Sequence, residues 1–319
     1  MASWRAWILD AILRWGMKRH GDKPIDLKRF RGMMQNPPRR VLRVPREMRV
    51  MEVVTEKGLR FDKVEKLEAR AVHQPVIVYY LHGGGYFFGS PKTHRPIIIS
   101  LAKAFDGPAY ALDYRLAPEH PFPAAVEDAS EAYRWLVATH PTSKIVIAGD
   151  SAGGGLAIVT AIGARAAGLP HPLAVIAFSP WCDLACTGPS IVANARSCAM
   201  LTPKAIRQAA ALYLAGSDPR DARASPLYAD LTGLPPMLLF ASNQETLLDD
   251  TVRLAERARA ASVEVELVRR NGLPHVWPIF VRLLPEAREA VAMLPAFASR
   301  VSLASAPSDA ENASVPSIH

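Results

Sequence analysis

Cysteine is scarce in this chain of 319 residues: the three present, Cys182, Cys186 and Cys198, stand at spacings that match no paired CxxC motif. An odd number, with no second Cys and His cluster, excludes a disulfide framework and a structural zinc site. Such usage fits a reducing cytoplasm better than an oxidising compartment. Neither a metal nor a cofactor is expected. Long apolar runs are lacking too. A spanning helix needs about 20 consecutive apolar residues, and no stretch reaches that length without a charge. A net positive charge is missing from most of the sequence. Of a net +8, residues 1 to 50 carry thirteen Lys plus Arg against four Asp plus Glu, or +9, which leaves −1 for the rest. Recognition of nucleic acid would spread basic residues through the binding elements, so nucleic acid is not an expected partner.

The basic segment opens MASWRAWILDAILRWGMKR, where Trp4, Trp7, Ile8, Ala11, Ile12 and Trp15 recur at helical spacing. Arg5, Asp10, Arg14, Lys18 and Arg19 interrupt the apolar run, so it is neither a secretory signal nor a membrane span. Two readings remain. The helix packs its Trp-bearing face on the protein's own body, which is the expectation, or it lies on an anionic membrane surface.

NPPRRVLRVP, residues 36 to 45, reads as an irregular connection, since each proline removes a donor and restrains its neighbour. RVMEVVTEKG and RFDKVEKLEAR alternate like a half-exposed hairpin. The apolar runs VIVYYL, AYALDY, KIVIAG and LAVIAFS read as strands buried on both faces, and MLLFAS and VEVELVR bring the count to about eight. Helical stretches between them give the β-α-β rhythm of a doubly wound sheet. Residues 183 to 235 break it, with two candidate helices and no convincing strand, and SLASAPSDAENASVPSIH reads as a disordered tail.

KIVIAG runs into GDSAGG, so Gly149-Asp150-Ser151-Ala152-Gly153 forms G-x-S-x-G where a strand should become a helix. That context defines a nucleophile elbow, with Ser151 pushed clear of the sheet. HGGGYFFG follows the third strand, and three consecutive glycines there suit bare N–H groups that must approach an oxyanion. Gly83 and Gly84 are the candidate donors, with Ala152 from the helix start, and His82 orients the loop. Among nine histidines, only His275 lies just after the last strand, where a base should fall, whereas His94, His120, His140 and His171 read as surface or turn residues and His73 as lying at the wrong end of the sheet. The acid must come from ASNQETLLDD after the seventh strand. Thr246 and Asp249 match a capping box and Asp250 suits the helix dipole, which leaves Glu245 for the imidazole. Tyr86, Phe87, Trp181 and Trp277 adjoin these motifs and are candidate walls of a substrate pocket.

HGGG, GDSAGG and DYRLAPEHPFPAAVEDA together resemble the bacterial hormone-sensitive-lipase-like esterases of the α/β-hydrolase superfamily, from about residue 47 to residue 300. The resemblance implies an α/β-hydrolase fold: an eight-stranded, mostly parallel sheet, helices on both faces and a helical cap. It implies Ser151 as nucleophile, His275 as base, and Gly83, Gly84 and Ala152 as oxyanion donors. Many relatives place an aspartate followed by Pro-Leu where this chain reads Glu245-Thr246-Leu247. Asp113, Arg115 and Glu119 match a structural loop. The implied division is cap residues 1–45, core 46–182, inserted cap 183–230, core 231–300 and tail 301–319, which favours packing of the Trp-rich helix over the membrane. The expected activity is hydrolysis of short- to medium-chain acyl esters, with amide or lactone hydrolysis by the same groups as the alternative. A non-catalytic small-molecule receptor would not need the base at His275. The edge of the eighth strand offers a place for two copies to pair.

Overall fold

The structure, a computed structural model, describes residues 2–21, 23–24, 26–34, 42–68 and 76–304. Its strands are β1 (Met48–Val54), β2 (Arg60–Lys66), β3 (Val76–Leu81), β4 (Ala109–Leu112), β5 (Lys144–Asp150), β6 (Ala174–Phe178), β7 (Met237–Ser242) and β8 (Val265–Arg270). They form one sheet in the order β1-β2-β4-β3-β5-β6-β7-β8. The β1–β2 and β2–β4 pairs are antiparallel and the rest are parallel. The expected eight-stranded, mostly parallel sheet is therefore present.

Helices α1 (Trp4–Gly16), α2 (Leu27–Met34), α3 (Arg95–Ala104), α4 (Ala124–Thr139) and α5 (Ala152–Ala166) are followed by α6 (Ser190–Ala193), α7 (Pro203–Leu214), α8 (Leu248–Ala260) and α9 (Pro285–Ala304). The period-two alternation of VIVYYL sorts them into layers. Ile77, Tyr79 and Leu81 share one core with residues of α4, α5 and α8, while Val78 and Tyr80 share the other with α3 and α9. Because both faces are covered, apolar runs without polar alternation are what the central strands require. Parallel pairing brings the carboxyl ends of β3, β5, β7 and β8 to one rim of the sheet. Leu81 pairs with Gly149, so the loops after β3 and β5 leave side by side.

Helix α1 departs from the expectation. Its buried residues are Ala6 and Leu9, and Trp4, Trp7, Ile8, Ile12 and Trp15 face solvent. The helix is apolar almost all round, so periodicity alone does not choose its packing face; the small Ala6 permits close approach to the body, which three indoles would not. At the other end, α9 runs to Ala304, past the expected boundary at residue 300. Most of the 36–45 connection, His73 and residues 305–319 lie outside the described residues.

Candidate active site

Ser151 stands between β5 and α5 with φ 52° and ψ −120°, a strained conformation for a residue with a Cβ. The strain is held by the surroundings. Its N–H donates to the Phe178 carbonyl (2.9 Å), and its carbonyl accepts from Trp181 N–H (2.9 Å) and Gly155 N–H (3.1 Å). An added Cβ at Gly149 would collide with the Gly153 carbonyl, and one at Gly153 with the carbonyls of Leu81 and His82. Only glycine lets the strand, the turn and the neighbouring loop pass this closely.

From the end of β8, His275 reaches the serine with Nε2 2.9 Å from Ser151 Oγ, and its Nδ1 meets Glu245 Oε2 in a very short contact. Glu245 and His275 are both buried. The other oxygen of Glu245 accepts from Ser242 N–H at 2.7 Å, which turns the carboxylate towards the imidazole. Val276 N–H donates to Ser179 Oγ (3.1 Å) and Ser242 Oγ to the Leu273 carbonyl (2.6 Å), fixing the histidine loop. Asn194, from the inserted segment, donates to the carbonyls of Asn243 (3.1 Å) and Glu245 (2.9 Å). The extra methylene of glutamate is absorbed without loss of contact.

The glycine loop corrects one expectation. Gly83 N–H donates to Asp150 Oδ1 (3.0 Å), so it is not free for a substrate oxygen. Among the described residues, no hydrogen bond engages the N–H groups of Gly84, Gly85 or Ala152. Gly84 and Gly85 also border the cavity in front of Ser151. Gly84 has φ 118° and Gly85 φ 59°, conformations that glycine adopts at little cost.

Beneath this loop lies a buried polar network. Asp150 Oδ1 also accepts from Tyr80 OH (2.6 Å), and Asp150 Oδ2 lies 3.4 Å from His94 Nε2. His94 was expected at the surface, yet only 10% of its side chain is exposed, because it stacks on His82 (5.6 Å between rings) and pairs with Asp150. Burial acts against the charged form of His94, but the Asp150 carboxylate outweighs it and raises the imidazole above its ordinary value. Burial likewise works against the Asp150 carboxylate, and His94 and Tyr80 hold it below its ordinary value. His82, buried and beside His94, is pushed down to about 3 and stays neutral. Its Nδ1 lies 2.8 Å from the Gly83 carbonyl, and its ring stacks on Tyr114 at 4.2 Å. His82 thus sits where it can orient the loop.

Asp249 and Asp250 stand in the first turn of α8, as expected, but neither caps that helix. The N-cap of α8 is Leu247, with no side-chain cap. Asp249 instead accepts from Ser190 N–H (2.6 Å), and Ser190 Oγ accepts from Asp249 N–H (3.0 Å), so the starts of α6 and α8 cap each other. Asp250 is fully buried and accepts from the N–H groups of Cys182 and Asp183, both at 2.8 Å. A local sequence pattern could not reveal partners 59 to 68 residues away in the chain.

The cavity over Ser151 encloses about 870 Å³. Phe87 and Trp181 line it as expected, together with Phe30, Phe88 and Ile206. Tyr86 and Trp277 do not. Tyr86 is buried in a stack with Tyr213 (3.8 Å), and Trp277 packs edge-on against Phe240 (5.8 Å), so both are core residues. The N-terminal segment and the inserted segment both contribute lining, through residues such as Leu13, Phe30, Met200 and Ile206. Arg31 of α2 donates to the carbonyls of Phe87 (2.8 Å) and Ala117 (2.6 Å) and pairs with Glu119. Arg115 is paired with Asp128, as a structural loop requires.

Residues 78–279 match the family model described as the alpha/beta hydrolase fold. An esterase from the bacterial hormone-sensitive lipase family superposes with a TM-score of 0.83 at 37% identity, covering 94% of this chain and 99% of its own. The chain belongs to that family. An acetyl-hydrolase of Streptomyces hygroscopicus is 44% identical over 219 residues, 68% of this chain and 73% of its own length. An esterase of Acinetobacter venetianus is 34% identical over 248 residues, 77% of this chain and 80% of its own. The family's sheet is the scaffold that sets the serine, imidazole and carboxylate described above on one rim.

Proposed function

We propose that the chain hydrolyses carboxylic esters of short to medium acyl chain length through an acyl-enzyme on Ser151. The observation that carries this reading is the unbroken contact chain Ser151–His275–Glu245 at the edge of an apolar cavity. His275 Nε2 takes the hydroxyl proton as Ser151 Oγ attacks the ester carbonyl carbon, and Glu245 holds the proton on Nδ1 and favours the imidazolium that forms. The carbonyl π electrons move to oxygen. We assign the N–H groups of Gly84, Gly85 and Ala152 as donors to that charge, with Ala152 at the start of a helix whose dipole adds to the stabilisation. Collapse expels the alkoxide, which leaves with the proton from His275. Water, deprotonated by the same nitrogen, then attacks the acyl carbon and regenerates Ser151.

The described residues of the segments 1–45 and 183–230 together form the cap over this site, an assignment supported by their shared lining of the cavity. No helix among the described residues is long and apolar enough to cross a membrane, and cysteine usage favours a cytoplasmic setting. An active-site fluorophosphonate tests the chemistry. One covalent group should appear on the Ser151 peptide of the wild type and none on Ser151→Ala; equal labelling of both would remove Ser151 from the mechanism.

A further inference from the structure

Half of the large apolar side chains that face solvent among the described residues belong to one helix. On α1, Trp4, Trp7, Ile8, Ile12 and Trp15 are between 51% and 73% exposed, whereas Val54, Leu67, Val192, Leu283 and Leu303 stand on separate elements. Scattered apolar residues are ordinary on a protein surface, but a concentration of indoles on one helix face marks an interaction site.

The helix is fixed in place. Ala6 and Leu9 are buried beneath it, Ser3 N–H donates to Glu286 (2.6 Å), and Arg14 and Lys18 both donate to the Arg196 carbonyl at 2.8 Å. Its Trp-bearing face is therefore presented outward by a ledge anchored at both ends. Charge indicates what covers it. Arg5, Arg19, Lys23 and Lys28 are exposed on or just after the helix, in a segment of +9 attached to a chain of −1. A second copy seated symmetrically on this face would bring two such segments together, and like charge opposes that contact. An anionic lipid surface satisfies both features: indoles settle at headgroup depth and basic residues meet the headgroups.

We propose that α1 docks the protein on an anionic lipid bilayer, with Trp4, Trp7, Ile8, Ile12 and Trp15 in the boundary between headgroups and acyl chains. Trp15, Arg19 and Lys23 also line the cavity that holds Ser151, so docking sets the rim of that cavity against the lipid. Entry of the ester from the lipid side rests on the ester-hydrolase reading; the docking itself does not.

The test is co-sedimentation of the full-length protein with vesicles of phosphatidylcholine alone or with about one quarter phosphatidylglycerol. The wild type should pellet with the anionic vesicles, stay in solution with the neutral ones, and be released by salt at about 0.5 M. Trp4→Ser/Trp7→Ser/Ile12→Ser, which spares the cavity lining, should lower the partition at least about tenfold and leave turnover of a water-soluble ester within about twofold. If that variant does not fold by circular dichroism, Arg5→Glu/Lys28→Glu, which keeps every apolar side chain of the docking face, should weaken anionic binding alone by a similar factor. Failure of the wild type to bind anionic vesicles would overturn the proposal, as would equal binding to neutral ones or binding unchanged in a folded variant. A wild-type dimer that ignores vesicles and becomes a monomer in the triple variant would also overturn it and assign the face to a second copy. Because binding is read without turnover, a failed esterase assay leaves this result untouched.

Discussion

The floor of the cavity has no room for a methyl group at Gly83, Gly149, Gly153 or Gly155, where an added Cβ would strike Asp150, Gly153, Leu81 or Trp181. The roof is different. It presents large, adaptable side chains such as Phe30, Met200 and Ile206, and its segments are tied down through arginines that reach backbone carbonyls. Two demands explain the contrast. Bond-making needs groups placed to a fraction of an ångström, so the floor is fixed by backbone packing and buried charge. Holding an apolar acyl group needs volume and dryness, so the roof can vary in detail.

Changes to the floor should therefore cost turnover, and changes to the roof should cost binding. In Gly83→Ala the new methyl must displace the Asp150 carboxylate, and the loop bearing Gly84 and Gly85 moves with it. We expect kcat on a p-nitrophenyl ester to fall by about 10²- to 10³-fold, the effect of losing an oxyanion donor. Retained turnover would show that the floor tolerates more than the packing allows.

Asp150→Asn keeps an acceptor for Gly83 N–H but removes the pairing with His94, and kcat should fall by about 10- to 100-fold. Its signature lies in stability against pH. His94, raised in the fold, contributes stability that is full below its ordinary 6.5 and is lost as pH rises through its higher folded value. Asp150, depressed in the fold, contributes stability that is full above its ordinary 3.8 and is lost as pH falls through its lower folded value. The gap in melting temperature between wild type and variant should be widest between pH 3.8 and 6.5 and narrow on either side.

Phe30 meets Phe88 edge-on at 4.9 Å and lies 5.7 Å from Phe87. Phe30→Ala should raise KM by about 5- to 10-fold with kcat within about twofold, measured over esters of increasing chain length. An equal loss in kcat would place the roof in the chemistry as well.

The smallest effect on turnover is expected behind the site. Burial pushes Asp250 up to about 8, so the folded protein keeps a proton that the unfolded chain releases near 3.8. Stability from this group is full below 3.8 and is lost as pH rises towards 8. Asp250→Asn can still accept from Cys182 and Asp183 and has no proton to lose. Relative to wild type, its melting temperature should rise with pH over that range, with activity unchanged at neutral pH.

Much of this was legible in the sequence. VIVYYL, KIVIAG and MLLFAS announce themselves because central parallel strands are buried on both faces, and a G-x-S-x-G that ends such a run has one structural meaning. Chain order and the loop after β7 then point to His275 and Glu245. What was illegible depends on direction or on distant partners. Three adjacent glycines look alike until Asp150 claims the N–H of Gly83. Asp249 resembles a cap until Ser190 arrives from the insertion. Tyr86 and Trp277 adjoin the motifs, yet their rings turn into the core, and α1 is apolar on so many sides that only contact with the body shows which side is inside.

The claim that Glu245 completes a working triad is tested most directly by comparing Glu245→Gln with Asp249→Asn in steady-state hydrolysis of a p-nitrophenyl ester, with thermal unfolding of the same samples. Glu245→Gln should fold and lose about 10⁴-fold in kcat, whereas Asp249→Asn, which only loosens the mutual cap with Ser190, should lose about 1 kcal/mol of stability and turn over near the wild-type rate. Near-normal turnover by Glu245→Gln together with an inactive, stably folded Asp249→Asn would contradict the account.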